Sequence, residues 1–277
     1  MQLDKHAHAT FTSRRVAPAF LRLARRYFNA IRDERRRVPI IKRGLLVGLS
    51  IPVGLAFMPY FVLNRRRLMN FDFSTRFGFC MAMEQTDFIA TMIYLFGVWE
   101  PDLSAFIRDR LQPGDTFVDV GANLGYFSLL AAQRVGATGS VIAVEASPSI
   151  HGKLQRNIVL NPVLAGSISA VNQAVSHESK AIRIYRGPDV LDGWTTTLQS
   201  RSFELEAEVT GVTLDDLLPV ETRAQLRLIK MDIEGAEYLV LPRLAQFLAT
   251  CPDTLEFVVE LTPLFWPKPR ATVEEII

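Results

Sequence analysis

The sequence predicts an α/β fold built on a doubly wound, mostly parallel sheet. Three observations carry that reading. Short apolar runs alternate with amphipathic stretches from Thr116 onward. One of those runs ends in a glycine turn that opens a helix, at Gly121 to Gly125. Apolar residues make up 49% of the 277 residues, enough for a sheet buried on both faces.

The elements follow in order. Residues 71–83 alternate well enough for a strand or hairpin, and 87–98 read as a helix rimmed by Thr91, Tyr94 and Trp99. Glu100-Pro101 breaks that helix, because a proline disfavours helical backbone in the residue before it. Residues 101–111 read as the next helix, and Gln112-Pro113-Gly114-Asp115 is a turn. Strand Thr116–Val120 leads to a helix over 126–134, and strand Ser140–Val144 to a helix over 149–161 whose start is signalled by Ser147-Pro148. A strand over 167–174 precedes a polar insert in which 181–185 and 205–210 form a hairpin. A short helix over 213–218, a strand over 227–231, a helix over 236–248 and a strand over 255–261 complete the alternation.

The turn after Val120 identifies a ligand class. A dinucleotide fingerprint needs a third glycine between the outer two so that amides can approach a pyrophosphate. Here Ala122, Asn123 and Leu124 fill the gap between Gly121 and Gly125. Asp119 precedes the turn, where it would repel a diphosphate and suit a cation. About twenty-five residues on, the ribose-contact spacing of such folds, the second strand ends in Glu145, which can accept from both ribose hydroxyls. S-adenosylmethionine (SAM), a cation carrying a ribose and no phosphate, meets both conditions.

Charge divides the chain into an extension over 1–69 and a domain over 70–277. Residues 1–67 carry fifteen Lys/Arg against three Asp/Glu, whereas 68–277 carry sixteen against twenty-six. A basic tail of net +12 thus precedes an acidic domain of net −10. The simplest partner for residues 14–67 is an anionic membrane surface. The acidic domain offers no basic stripe with interleaved aromatics, which argues against nucleic acid. Residues 14–37 read as an amphipathic helix with Phe20, Ala24, Tyr27 and Ile31 on one face and Arg22, Arg25, Arg26 and Arg32 flanking it. Residues 44–63 are uncharged and long enough to span a bilayer, although Pro52 and Pro59 weaken a helix there. Spanning would place the heavier positive load inside and export the domain from cytosolic SAM. Half-inserted or surface-lying segments avoid that conflict, and a buried helix covering the domain is the other reading. The segment lies too far from the N-terminus for an ordinary cleaved signal peptide. The expected location is cytoplasmic, with the extension at a membrane surface.

Cys80 and Cys251 fit no metal spacing and suggest a reducing compartment. His6, His8, His151 and His177 form no cluster, so no metal site is expected from them.

The segment 117–126, the Val144-Glu145-Ala146-Ser147-Pro148 run, the segment 172–175 and Ile229-Lys230-Met231-Asp232-Ile233-Glu234-Gly235-Ala236-Glu237 together resemble the FkbM family of SAM-dependent methyltransferases. The resemblance runs from about Phe71 to the end, and the D-x-E-G-A-E run is its most specific piece. It implies a Rossmann-like class I methyltransferase fold. It also implies methylation of a hydroxyl on a sugar, glycolipid, polysaccharide or polyketide-type product. Methylation of nitrogen or another small-molecule atom, and a non-catalytic SAM-fold binding module, are the alternatives.

Each site residue then has an expected role. Asp119 would face the SAM ammonium, directly or through water. Gly121 and Gly125 would admit the methionyl part and the helix packing, and Asn123 would hold the turn, since asparagine tolerates positive φ. Glu145 would hold the ribose, with Asn172, Gln173 and Ala174 flanking the adenine or merely ending their strand. Asp232, followed by Glu234, is expected to take the acceptor's proton. Glu237 begins a helix, where the helix dipole favours a carboxylate for structural reasons alone. It remains a substrate-side candidate with Glu260, Trp194 and Thr195. Trp194 could stack on a sugar or simply pack on the sheet. Asp232 and Glu260 are too few ligands to expect a resident Mg²⁺. After the fifth strand only 271–277 remain, with a capping box at Thr272 and Glu275, so the C-terminus reads as truncated with an exposed sheet edge.

Overall fold

The computed structural model describes residues 21–23, 25–26, 70–84, 87–187, 195–196, 204–263 and 266. The apolar stretch 44–63, most of the predicted helix over 14–37, Trp194 and the capping box in 271–277 lie outside the described residues.

The centre is a five-stranded parallel sheet. Its strands are β3 (Thr116–Val120), β4 (Ser140–Val144), β5 (Ile168–Val171), β10 (Leu226–Met231) and β11 (Glu256–Val259). Their spatial order is β11-β10-β3-β4-β5, with the order reversing beside β3. That reversal is where α/β sheets open a crevice for ligands. Between them run α3 (Tyr126–Val135), α4 (Pro148–Val159), the short α5 (Pro162–Ala165) and α7 (Glu237–Leu248).

Alternation along β3 places its side chains in two separate cores. Phe117 packs with Leu129, Leu130 and Met81 on one face, while Val118 and Val120 pack with Ile229, Met231 and Phe247 on the other. Phe117 is fully buried, and burial of such a ring contributes about 1.5–3 kcal/mol. The edge strands β5 and β11 are only half-buried.

The predicted strand over 167–174 is two strands. β5 ends at Val171, and β6 (Ala174–Val175) joins a second sheet of order β6-β9-β7-β8. Asn172 marks the break: its amide donates to the carbonyls of Glu145 (2.8 Å) and Ala146 (2.9 Å), drawing the chain away from the strand. The insert is the antiparallel hairpin expected, built from β7 (Ala181–Arg186) and β9 (Glu204–Val212), with β8 (Thr195–Thr196) added beside β7. α6 (Leu214–Leu217) follows, capped by Thr213.

Before the sheet, β1 (Phe71–Ser74) and β2 (Cys80–Met83) form a hairpin, followed by α1 (Phe88–Phe96) and α2 (Pro101–Arg110). Two asparagines on the α4 side hook the hairpin to the domain. Asn157 Oδ1 accepts from the Ala82 amide (2.8 Å) and its Nδ2 donates to the Leu124 carbonyl (2.8 Å). Asn161 accepts from the Cys80 amide and donates to the Cys80 carbonyl. The described part of the extension is helical and packs on this region. Leu21 is fully buried, and Arg25 lies 4.8 Å over the Tyr94 ring while donating to the Ser74 carbonyl. Arg25 therefore faces the domain instead of flanking a free helix. Thr91 and Tyr94, read as a rim, are buried. No helix among the described residues is long and apolar enough to cross a membrane.

Candidate active site

The site lies at the carboxyl ends of β3, β4 and β10, where three turns meet. After β3, Gly121 and Ala122 both donate to the Val144 carbonyl at 2.9 Å, tying the glycine turn to the end of β4. Gly121 (φ +75), Asn123 (φ +51) and Gly125 (φ +81) all adopt left-handed backbone. A Cβ on Gly121 would lie 1.7 Å from the Asp232 carbonyl oxygen, so glycine is required where the turn after β3 meets the turn after β10. A Cβ on Gly125 would meet Leu154 Cδ1 at 2.4 Å, which lets α3 and α4 pack closely.

Glu145 ends β4 almost fully buried. One carboxylate oxygen accepts from the Asn123 amide and the other from the Ser147 amide, each at 2.9 Å. Burial pushes its pKa up to about 7, against the lowering effect of those two amides and of Lys230. The insert sheet is pinned beside it. Ser147 Oγ donates to Glu206 of β9 at 2.8 Å, and the Ser149 amide donates to the same carboxylate at 3.1 Å. Burial works against the charge of Glu206, but these Ser149 and Ser147 bonds outweigh it and hold its pKa down.

Two adjoining cavities follow this edge. The smaller, about 60 Å³, is lined by Glu145, Gln173, Ala174, Ile184 and the two turns. The larger, about 350 Å³, is lined by Trp99, Glu100, Phe127, Lys230, Asp232 and Glu260, among others. Gly121, Asn123, Asp232 and Glu234 line both.

Lys230, not singled out for a role in the sequence reading, organises the larger cavity. Its ammonium donates to the Gly121 carbonyl at 3.0 Å and lies 3.5 Å from Asp119 and 3.6 Å from Asp232. Burial opposes its charge, but Asp119, Asp232 and Glu100 outweigh burial and raise its pKa. The signal was available: a lysine inside an apolar strand, a residue type almost never fully buried without a partner. Trp99, read from the sequence as a helix rim, and Glu100, read only as part of a helix break, belong to the loop before α2. Burial, followed by Asp232 and Asp119, raises the pKa of Glu100, with Lys230 and the Trp99 hydrogen bond opposing. Burial likewise raises Glu260, reinforced by Asp232 and Glu100.

The sequence-selected residues separate into groups. Gly121, Asn123, Glu145, Gln173, Ala174, Asp232, Glu234 and Glu260 line the two cavities. Gly125 caps α3 below them. Asp119 is fully buried under the turn, accepting from Ser128 Oγ at 2.6 Å and paired with Lys230. It lines neither cavity. Asn172 spends its amide on two carbonyls. Glu237 is fully buried, with one oxygen accepting from the Gly235 amide and the other from the Trp266 indole. Thr195 pairs through its backbone with Arg186.

The residues present fit a cationic nucleoside better than a phosphate. Among the described residues lining the two cavities, Lys230 is the only cation, and carboxylates already surround its ammonium. The buried Glu145 carboxylate has lone pairs beyond its two amide bonds for a diol. Among the described residues, no group of three or more His, Cys, Asp or Glu is arranged to hold a metal ion.

The sequence model of the methyltransferase FkbM domain matches residues 119–273. The chain is 29% identical over 181 residues to the 31-O-demethyl-FK506 methyltransferase FkbM of Streptomyces tacrolimicus, covering 52% of this chain and 68% of that protein. It is 39% identical over 51 residues to the arsenite methyltransferase of Halobacterium salinarum, of which it spans 13%, with 18% of this chain covered. Among solved structures, the methyltransferase FkbM of Methylobacillus flagellatus aligns with a TM-score of 0.37 and 13% identity, over 62% of this chain and 42% of that one.

Proposed function

Since the chain belongs to the FkbM methyltransferase family, we propose that it transfers a methyl group from SAM to a hydroxyl oxygen of a small molecule. The favoured acceptors are a sugar, glycolipid, polysaccharide or polyketide-type product. The observation that carries this reading is the cavity pair along the sheet edge, which joins the Glu145 carboxylate to the Asp232 and Glu234 carboxylates. The relative from Streptomyces tacrolimicus, named for an oxygen acceptor, supports the choice of oxygen.

When bound, SAM supplies an electrophilic methyl group and a thioether leaving group. Glu145 would accept from the ribose hydroxyls, and Gln173, Ala174 and Ile184, which line the same cavity, would enclose the base. Asp232 would accept the acceptor's hydroxyl proton, so that the oxygen could take the methyl group while the sulfur would leave as a thioether. Lys230, 3.6 Å away, stands beside Asp232 as its counter-charge. Residues at the carboxyl end of β10 would position the acceptor oxygen, and such positioning would supply much of the rate. Glu234 and Glu260 line the acceptor side.

The test is label transfer from methyl-labelled SAM into separated lipid, sugar and small-molecule extracts. Label in an alkali-stable ether supports the reading. Label on nitrogen would leave a methyltransferase with a different acceptor atom. Failure of SAM or S-adenosylhomocysteine to bind would remove the enzymatic reading altogether.

For residues 1–69 we propose an attachment role at an anionic membrane surface, carried by the net +12 charge of residues 1–67. Full-length protein should sediment with anionic vesicles, and a chain beginning near Asn70 should not. Equal sedimentation of both would sink the idea.

A further inference from the structure

The sequence reading set the ammonium of SAM facing Asp119, directly or through water, but Asp119 is fully buried, lines neither cavity and is already paired with Lys230. A methionyl ammonium entering this site needs another carboxylate, because a charge taken from water into a cavity must be paired.

The sheet order narrows the choice. The ribose carboxylate, Glu145, follows β4, and the next strands across are β3, β10 and β11. Asp232 and Glu234 follow β10 and line both cavities, which puts them at the junction where the two cavities meet. Glu260 follows β11, three strands from Glu145, on the acceptor side. Glu100 comes from none of these strands. It belongs to the loop before α2, the helix that packs against α3, and lines the larger cavity with Leu124, Tyr126 and Phe127 at the start of α3. It therefore stands on the β3 side, over the glycine turn.

We infer that Glu100 is the carboxylate that pairs with the methionyl ammonium of SAM. This rests on the SAM reading of the site given above. Its placement is fixed by the backbone. Glu100 has φ +38, its carbonyl accepts from the Ser104 amide at 2.8 Å, and Ser104 Oγ donates to the Trp99 carbonyl at 2.5 Å. The side chain does not cap α2, although it occupies the N-cap position. It instead joins the cavity wall beside Trp99. Among the described residues lining the two cavities Lys230 is the only cation, shared by Asp119, Asp232, Glu100 and Glu260, and burial raises the pKa of Glu100 further. A ligand bringing its own ammonium would relieve that imbalance. Glu100 precedes the family-matched segment 119–273.

The experiment is titration calorimetry with two probes, S-adenosylhomocysteine and 5′-methylthioadenosine. The second keeps the nucleoside and thioether but lacks the amino-acid ammonium. Glu100→Gln should weaken S-adenosylhomocysteine about tenfold or more, the worth of one charge-assisted hydrogen bond. Methylthioadenosine should bind Glu100→Gln and the unmodified protein within about twofold, a tolerance far below the value of such a bond. Glu100→Asp should recover part of the lost affinity. Unchanged S-adenosylhomocysteine affinity in Glu100→Gln, or equal losses for both probes in Glu100→Gln and Glu100→Asp, would overturn the inference. If neither probe binds the unmodified protein, the SAM reading itself fails, an outcome distinct from either of these.

Discussion

Lys230 and Asp119 are register partners across β10 and β3, and the lysine ammonium sits 3.5 Å from a buried aspartate oxygen that has no hydrogen-bond partner. Parallel pairing puts both side chains on the same face of the sheet, beneath the glycine turn. The same ammonium holds the Gly121 carbonyl, so one buried cation joins the glycine turn to Asp232.

Removing that cation should be costly. Lys230→Met leaves Asp119 buried without its counter-charge, and we expect a loss of about 3–5 kcal/mol in chemical unfolding. Lys230→Met combined with Asp119→Asn should recover a clear part of it. Additive losses in the double variant would show that the pair is not coupled.

The two glycines should respond differently to alanine. Gly121→Ala drives a Cβ into the Asp232 backbone, which cannot move without disturbing the end of β10. Gly125→Ala meets only the tip of Leu154, a flexible side chain, and its left-handed backbone adds about 1–2 kcal/mol. Thermal unfolding should rank Gly121→Ala well below Gly125→Ala. The reverse ranking would contradict the close approach of the two turns.

Glu145 makes ligand binding and stability depend on pH. Its folded pKa of about 7 lies above the ordinary glutamate value, so the folded state holds a proton that the unfolded state has released. Its contribution to stability therefore falls as pH rises from about 4.5 to about 7 and is level above that. Glu145→Gln should gain on the unmodified protein across the same window. Methylthioadenosine affinity should run the other way, weakening below about pH 7 as the carboxylate loses an acceptor. Calorimetry at several pH values checks both signs, with Glu145→Gln giving a flat binding profile.

Asn157 ties the glycine turn to the N-terminal hairpin through both ends of one amide. Asn157→Ala leaves the Ala82 amide and the Leu124 carbonyl without that partner, at about 1–3 kcal/mol for each group left unsatisfied. We expect lower stability together with weaker nucleoside binding. Stability loss with intact binding would confine Asn157 to anchoring the hairpin.

Asp232→Ala should spare cofactor binding and remove turnover, since removing a positioned base costs about 10²–10⁴ in rate. Once an acceptor is in hand, single-turnover label transfer measures this directly. Full turnover in Asp232→Ala would move the proton-accepting role elsewhere, with Glu234 next in line.

The order of strands and helices was legible because each element carries its own period. β3 and β4 have the predicted ends, since an apolar run bounded by turn residues has few other solutions. The error at residues 167–174 arose where continuity of apolar residues concealed a change of sheet. That change is made by Asn172 bonding to the carbonyls of Glu145 and Ala146, more than twenty residues away in the chain.

In the site, the sequence alone determined which turns carry polar groups, and it led to the expectation of a cation bearing a ribose. Residue type and spacing suffice to place the turns, because Gly121, Asn123, Glu145 and Asp232 all stand at strand ends, where a parallel sheet gathers them. Only the tertiary structure decided which carboxylates reach the cavities. Asp119 looked as available as Glu145 and Glu237 stood as a weaker candidate, yet Lys230 and Ser128 occupy the first, and Gly235 and Trp266 the second. Glu100 gave no signal in the sequence and stands in the cavity wall. The physical reason is that a carboxylate's role depends on which donor reaches it first, and those donors come from strands and loops distant in the chain.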